Sequence, residues 1–280
     1  MGLRVLTNVQ SLAAQRNLGI NSDLQKNSLE KLASGSRITR AADDAAGLAI
    51  GEKMRAQIRS IRQNIRNAND GVSIIQTTEG SLNEASNVLV RFRELAIQGA
   101  SDTVGDQERG FINKEVDQLK QEIDRIAVST EFNGRHLLRL VSGEPNLIEI
   151  QIADNNNPEQ DRLAFDAEKL NTSAETLGIA DVGTLTKEQA QNSIAAIDHG
   201  ILVLSENRAT LGAFQNRLTS AISNMQIYDE NLSAARSRIM DLDIAEGTAN
   251  LTKYNILSQV GTSVLSQANS NNAQALKLIG

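Results

Sequence analysis

Apolar residues recur with helical spacing over most of this chain. Met54, Ile58, Ile61, Ile65, Ala68, Val72 and Ile75 follow one another in steps of four and three, which is the a/d seam of a heptad repeat. One arm of the seam continues through Leu82, Leu89 and Ala96. The other drops out at Glu79 and resumes at Ala85 and Phe92, with the slip in phase beside Gly80. The pattern predicts one helix from about Asp43 to Gln98, on the order of 80 Å at ~1.5 Å per residue. Gly71 and Gly80 sit inside it and each costs about 1 kcal/mol relative to Ala, so packing must hold the helix. A second, shorter seam runs Ile112, Val116, Leu119, Ile123, Ile126 and ends before the turn Phe132-Asn133-Gly134. A third is spaced by sevens: Ile197, Leu204, Leu211, Leu218, Met225, Leu232 and Ile239, with Phe214, Ala221, Tyr228, Ala235 and Leu242 beside them. Thr186 and Gln189 form a capping-box pattern ahead of it.

Between the second and third seams the period changes. Leu147-Ile148-Glu149-Ile150-Gln151-Ile152 alternates apolar and polar, a strand pattern. Asp154-Asn155-Asn156-Asn157-Pro158 reads as a turn. A small β element is therefore expected from about Gly134 to Val182. The two ends differ again. Leu6, Val9, Ala13 and Ile20 near the N-terminus, and Ile256, Val260, Val264 and Ala268 near the C-terminus, form thin apolar stripes in segments rich in Asn, Ser and Gln. Such a stripe buries too little area to offset backbone ordering alone. Residues 1–42 and 244–280 are thus expected to fold only when paired with neighbours, around a helical domain over 43–243. The fold class is mainly α: a long antiparallel helical coiled-coil bundle with a small β insertion at its distal end and paired terminal helices.

Composition narrows the chemistry. Of 280 residues none is Cys, which removes disulfides, thiolate metal sites and thiol nucleophiles. The two histidines, His136 and His199, lie far apart in sequence, so no multi-His metal site is expected. A net charge of -6 and 2% aromatic content argue against nucleic acid, which calls for a concentrated basic face or a stacking platform. No run reaches the length of an apolar membrane span, and Met1 to Gln10 is too polar for the apolar core of a secretory signal. Walker A, G-x-G-x-x-G, H-E-x-x-H and G-x-S-x-G patterns do not occur. The acidic pairs Asp43-Asp44 and Asp241 with Asp243 are better read as helix N-terminal charge than as a metal or acid/base pair. No enzyme activity, cofactor or metal is expected. Three N-x-[ST] triplets, beginning at Asn171, Asn231 and Asn250, are given no role.

Several separated blocks then point to one family. Leu32-Ala33-Ser34-Gly35-Ser36-Arg37-Ile38 and Ala42-Asp43-Asp44-Ala45-Ala46-Gly47-Leu48-Ala49-Ile50 resemble the N-terminal signature of bacterial flagellins. So do Asn69-Asp70-Gly71-Val72-Ser73-Ile74-Ile75-Gln76-Thr77, Arg91-Phe92-Arg93-Glu94-Leu95-Ala96-Ile97-Gln98 and Phe132-Asn133-Gly134. Ala234-Ala235-Arg236-Ser237-Arg238-Ile239, Ala249-Asn250-Leu251-Thr252-Lys253 and Ser266-Gln267-Ala268-Asn269 resemble the C-terminal signature.

The resemblance implies a structural subunit that polymerises into the extracellular flagellar filament for motility, in a short form without large variable outer domains. It implies terminal helices that line the inner tube, with Leu6, Val9, Ala13, Ile20, Ile256, Val260, Val264 and Ala268 as polymerisation residues. It implies export through the flagellar type III apparatus without a cleaved signal peptide, a filament cap, hook-junction proteins, and an export chaperone on Leu251 to Ala268. It further implies that Arg91, Leu95 and Glu115 form a patch for the Toll-like receptor for flagellin, an Arg anchor beside a Leu knob. Gly247 stands where relatives carry a stronger helix former, and a weakened helix or hinge is expected there. The alternatives are a flagellin-like hook-filament junction protein, an intracellular coiled-coil scaffold, an enzyme with an inserted catalytic domain, and a DNA-binding helical bundle. The last is disfavoured by the acidic balance and the lack of a basic stripe.

Overall fold

The computed structural model describes residues 7–139 and 147–277. The chain divides into two compact units, one of Met1–Ile58 with Glu230–Gly280 and one of Arg59–Asp229.

The second unit carries the apolar core. Its helices are most of α2 (Ala45–Gly99), α3 (Asp106–Ser129) and most of α5 (Lys187–Met240). α2 and α5 run antiparallel, since Arg62 pairs with Asp229 and Arg93 with Asp198. The heptads of α2 are filled as their spacing predicts: Ile61, Ala68, Ile75, Leu82, Ala85, Leu89, Phe92 and Ala96 are buried, and Ile197, Leu204, Leu211 and Leu218 face them from α5. The gap at Glu79 is closed by Thr78, which is fully buried and donates its hydroxyl to Ile74 O at 2.8 Å. A short polar residue that bonds back to its own helix can occupy a core position without an orphaned donor. α2 ends against Arg109 of α3, whose buried guanidinium donates to Gly99 O and Ser101 O, supplying donors that the last helical carbonyls lack.

Two small antiparallel sheets follow α3. β1 (Glu131–Phe132) and β2 (Arg135–His136) close through Asn133 and Gly134. Both have positive φ, 51° and 78°, as a tight hairpin turn requires. β3 (Leu147–Gln151) pairs with β4 (Arg162–Asp166) across the short α4 (Pro158–Asp161). Ile148, Ile150, Leu163 and Phe165 point into the core, and Phe165 meets Phe214 edge to face at 5.3 Å. The hairpin lies along α2. Asn64 bonds Asp154, and a Cβ at Gly71 would overlap Ile150 Cδ1. Gly71 is thus retained for close approach, despite its cost in a helix. α5 begins at Thr186, whose hydroxyl accepts from Gln189 N at 3.2 Å.

The first unit holds α1 (Val9–Ser34), α6 (Ile244–Lys277), the opening turns of α2 and the closing turns of α5. α1 and α6 run antiparallel, with Asn8 beside Ala268, Asn21 beside Tyr254 and Leu32 beside Gly247. The α1–α2 connection and the α5–α6 joint lie side by side. Arg37 N donates to Met240 O at 2.7 Å, Leu242 N to Gly35 O at 2.9 Å, and the Arg37 side chain to Ile239 O. The acidic pairs act as caps: Asp44 accepts from Gly47 N, and Asp243 from Ala245 N and Glu246 N.

Candidate subunit-contact surface

α1 and α6 each carry two stripes. The first is a heptad seam composed mostly of small and polar residues. On α1 it runs Ser11, Ala14, Leu18, Asn21, Gln25, Ser28, Leu32; on α6 it runs Gly247, Leu251, Tyr254, Ser258, Gly261, Leu265, Ala268. Every one of these residues is buried or half-buried. The contact is hydrogen-bonded as well as packed. Asn8 Nδ2 donates to Ala268 O at 3.0 Å while its Oδ1 accepts from Ser11 N. Asn21 Nδ2 donates to Tyr254 O at 3.0 Å, and Gln25 Nε2 to Asn255 Oδ1 at 2.6 Å.

The second stripe is apolar and faces outward. Val9, Leu12, Ile20 and Leu24 of α1, with Ile256, Leu257, Val260 and Val264 of α6, are 42 to 62% exposed. Leu18, Ile20, Leu24 and Leu257 line an open groove between the helices with Gly261 at its floor. A helix pair that places mostly small and polar groups inside and its Val and Ile residues outside has reversed the usual order of burial. A contiguous exposed apolar face of this kind marks an interaction surface. Among the described residues no helix is long and apolar enough to cross a membrane.

The expected polymerisation residues divide between the stripes. Val9, Ile20, Ile256, Val260 and Val264 stand on the outward face, and Ala13 is half-buried at its edge. Ala268 is buried in the seam. Leu6 lies outside the described residues. The seam itself escaped a reading based on apolar spacing. Its signal was the three-and-four step shared by small and polar residues. Gly247 is no hinge. It lies within α6, and a Cβ there would sit 3.0 Å from Cδ2 of both Leu32 and Leu242. The helix is interrupted earlier, at residues 241–243.

On the second unit, Arg91 donates to Glu115 Oε1 through Nε at 3.0 Å and Nη2 at 2.8 Å, and Nη1 reaches Glu94. These bonds hold the guanidinium pKa above its usual range. Leu95 offers no knob beside them. It is 2% exposed and belongs to the core. A basic run that the sequence reading passed over, Arg55, Arg59, Arg62 and Arg66, lies along α2, with Arg55 paired to Glu52 and Arg62 to Asp229.

In the α1–α2 connection Asp43 accepts from Thr39 N, Thr39 Oγ1 and Arg40 N, and Lys31 Nζ lies 3.4 Å away. The backbone bond from Thr39 leads the causes that lower the carboxyl pKa from 3.8 to about 2. Arg40 pairs with Glu30 alongside.

Comparison with known proteins places this arrangement. Residues 5–142 match the bacterial flagellin N-terminal helical region, and residues 194–279 the bacterial flagellin C-terminal helical region. The chain is 42% identical to a flagellin of Halalkalibacterium halodurans over 97% of its own length and 98% of the relative's. It is 40% identical to a flagellar filament 30.7 kDa core protein of Treponema maltophilum, with the same coverage. The crystal structure of Bacillus cereus flagellin superposes with a TM-score of 0.50 at 31% identity, covering 57% of this chain and 88% of that one.

Proposed function

The chain belongs to the bacterial flagellin family, structural subunits of the flagellar filament, and from that premise we propose that its outward apolar stripe is the surface through which copies polymerise. The observation that carries this reading is the reversed burial of α1 and α6. Val9, Ile20, Ile256, Val260 and Val264 stand half or more exposed, and covering what remains is worth roughly half of the ~1.5–3 kcal/mol that full burial of such a side chain gives. A filament in which neighbouring α1–α6 pairs cover one another's stripes collects that free energy; an isolated subunit does not. Residues 1–42 and 244–280 therefore order fully on assembly, around a core domain that is folded beforehand.

The subunit works by self-association, with no catalysis. It leaves the cell unfolded, without cleavage of a signal peptide, and a chaperone covers Leu251 to Ala268 until export. Filament cap and hook-junction proteins meet the same terminal helices at the two ends of the polymer. Contact with the Toll-like receptor for flagellin rests on the exposed Arg91–Glu115 pair rather than on Leu95.

Seeded polymerisation tests the reading. Full-length chain added to short filament fragments is expected to give long filaments in electron micrographs. Chain lacking residues 1–42 and 244–280 is expected to stay monomeric with its core unfolding transition intact. Dimers or inert monomers from well-folded full-length chain would instead favour a junction protein or scaffold.

A further inference from the structure

Building on that assembly reading, we propose that the α1–α6 seam is a register lock, in which Leu18 seated on Gly261 and Leu32 seated on Gly247 hold the two helices in a single alignment. Both contacts are close. A Cβ at Gly261 would lie 3.1 Å from Leu18 Cδ1, and one at Gly247 3.0 Å from Leu32 Cδ2. Leu18 and Leu32 are two heptads apart on α1, and Gly261 and Gly247 are two heptads apart on α6. The antiparallel pair therefore closes two knob-and-hole contacts at once.

The heptad alone leaves the alignment open, and the backbone bonds from Arg37 to Met240 O and from Leu242 to Gly35 O pin it at one end only. Sliding α6 by seven residues preserves the spacing of both seams. Slid one way, Leu18 meets Tyr254; slid the other way, Leu32 meets Tyr254. Either shift puts a leucine against a ring in place of a hole. Each also separates Gln25 from Asn255, whose bond runs between two side chains, and a polar pair at a seam specifies register because a misaligned partner leaves it unpaired.

The consequence lies on the outer face. Val9, Leu12, Ile20 and Leu24 come from one helix, and Ile256, Leu257, Val260 and Val264 from the other. They form one composite surface only when the two helices are aligned, so register decides which surface a neighbouring copy meets. The glycines are thereby explained as holes, and their poor helix propensity is accepted for shape.

The test uses the absence of native Cys. Ser28→Cys with Leu251→Cys, seam positions between the two Leu–Gly contacts, introduced into full-length chain, reports the alignment by intramolecular disulfide yield, and seeded filament mass reports assembly. On this background Gly261→Leu, which favours helix in isolation, is expected to lower the disulfide yield. It is also expected to raise the critical concentration roughly tenfold, because the larger side chain displaces Leu18 from its seat. Exchanging knob and hole, Leu18→Ala with Gly261→Leu, is expected to restore both readouts to within about twofold, the mark of directly coupled sites. Unchanged or improved assembly by Gly261→Leu with undiminished disulfide would overturn the lock. So would failure of the exchange to recover either readout while its helix content by circular dichroism matches the parent. A parent chain that forms the disulfide but never polymerises counts against the assembly reading and leaves the lock standing.

Discussion

The two units use the same three-and-four spacing for opposite ends. In the second unit the seam positions of α2 are Ile, Leu, Ala and Phe, and they disappear into a core with α3, α5 and the β3–β4 hairpin. In the first unit the seam positions of α1 and α6 are mainly Ser, Ala, Asn, Gln and Gly with Leu18, Leu32, Leu251 and Leu265 among them, while the β-branched Val and Ile residues sit on the far side. Heptad spacing therefore says that helices pair; the chemistry at the seam says where the free energy goes. An apolar seam spends hydrophobic burial on folding the monomer. A small, polar seam fixes geometry and leaves that burial for contacts between copies.

The contrast is most sharply broken, or sustained, by charging the outer stripe. Val260→Asp with Val264→Asp is expected to abolish seeded filament growth, because two carboxylates would be buried without partners at each contact. The urea unfolding transition of the Arg59–Asp229 unit should not move. A shifted transition would mean that the stripe serves the monomer fold. The mirror experiment truncates the core. Leu89 and Phe92 are fully buried, and Phe92→Ala is expected to remove about 3–5 kcal/mol and Leu89→Ala about 2–5 kcal/mol of monomer stability. A drop below 1 kcal/mol would show that α2 is not what holds this unit together. A smaller effect tests the seating of the β hairpin on α2. Gly71→Ala trades better helix propensity against overlap with Ile150 Cδ1, and the overlap should win by about 1–3 kcal/mol. Gly71→Ala combined with Ile150→Val should recover part of the loss in the same unfolding measurement.

The same contrast explains what could be read without coordinates. The long helix, the shorter second helix and the returning helix were legible because their core faces are written in large apolar residues, and the strand at residues 147–151 because its alternation has no helical competitor. Thr78 was passed over as a core residue because it is polar in type, although its hydroxyl is spent on Ile74 O. Leu95 was expected in a surface patch on the family resemblance alone, and it is buried. Its burial comes from tertiary packing, which local sequence does not encode. The α1–α6 seam was invisible for a related reason. Where Asn, Ser and Gly do the packing, hydrophobicity carries no signal, and the apolar residues that do show a period mark the face turned away from the partner helix. Gly247 looked like a flaw in α6 until Leu32 was seen to fill the space above it.

The weakest of the expected effects concerns the connection between α1 and α2, which neither seam describes. Asp43 gathers the amides of Thr39 and Arg40 and the hydroxyl of Thr39, and these bonds favour its ionised form. Its pKa is about 2 in the folded connection against 3.8 without those partners. A carboxylate whose pKa is depressed on folding stabilises the folded form at all pH above the unfolded value, and loses that contribution as protons bind between the two values. The window is therefore pH 3.8 down to about 2. Across it the contribution to stability declines, and as pH falls through about 2 the carboxylate that accepts from the amides of Thr39 and Arg40 is itself protonated, so their hydrogen-exchange protection in assembled filaments should fall. Asp43→Asn should show reduced protection already at neutral pH and a flatter decline across the same window. If parent and variant decline in parallel, the acid sensitivity of the connection lies with other groups, and Asp43 only fills the turn.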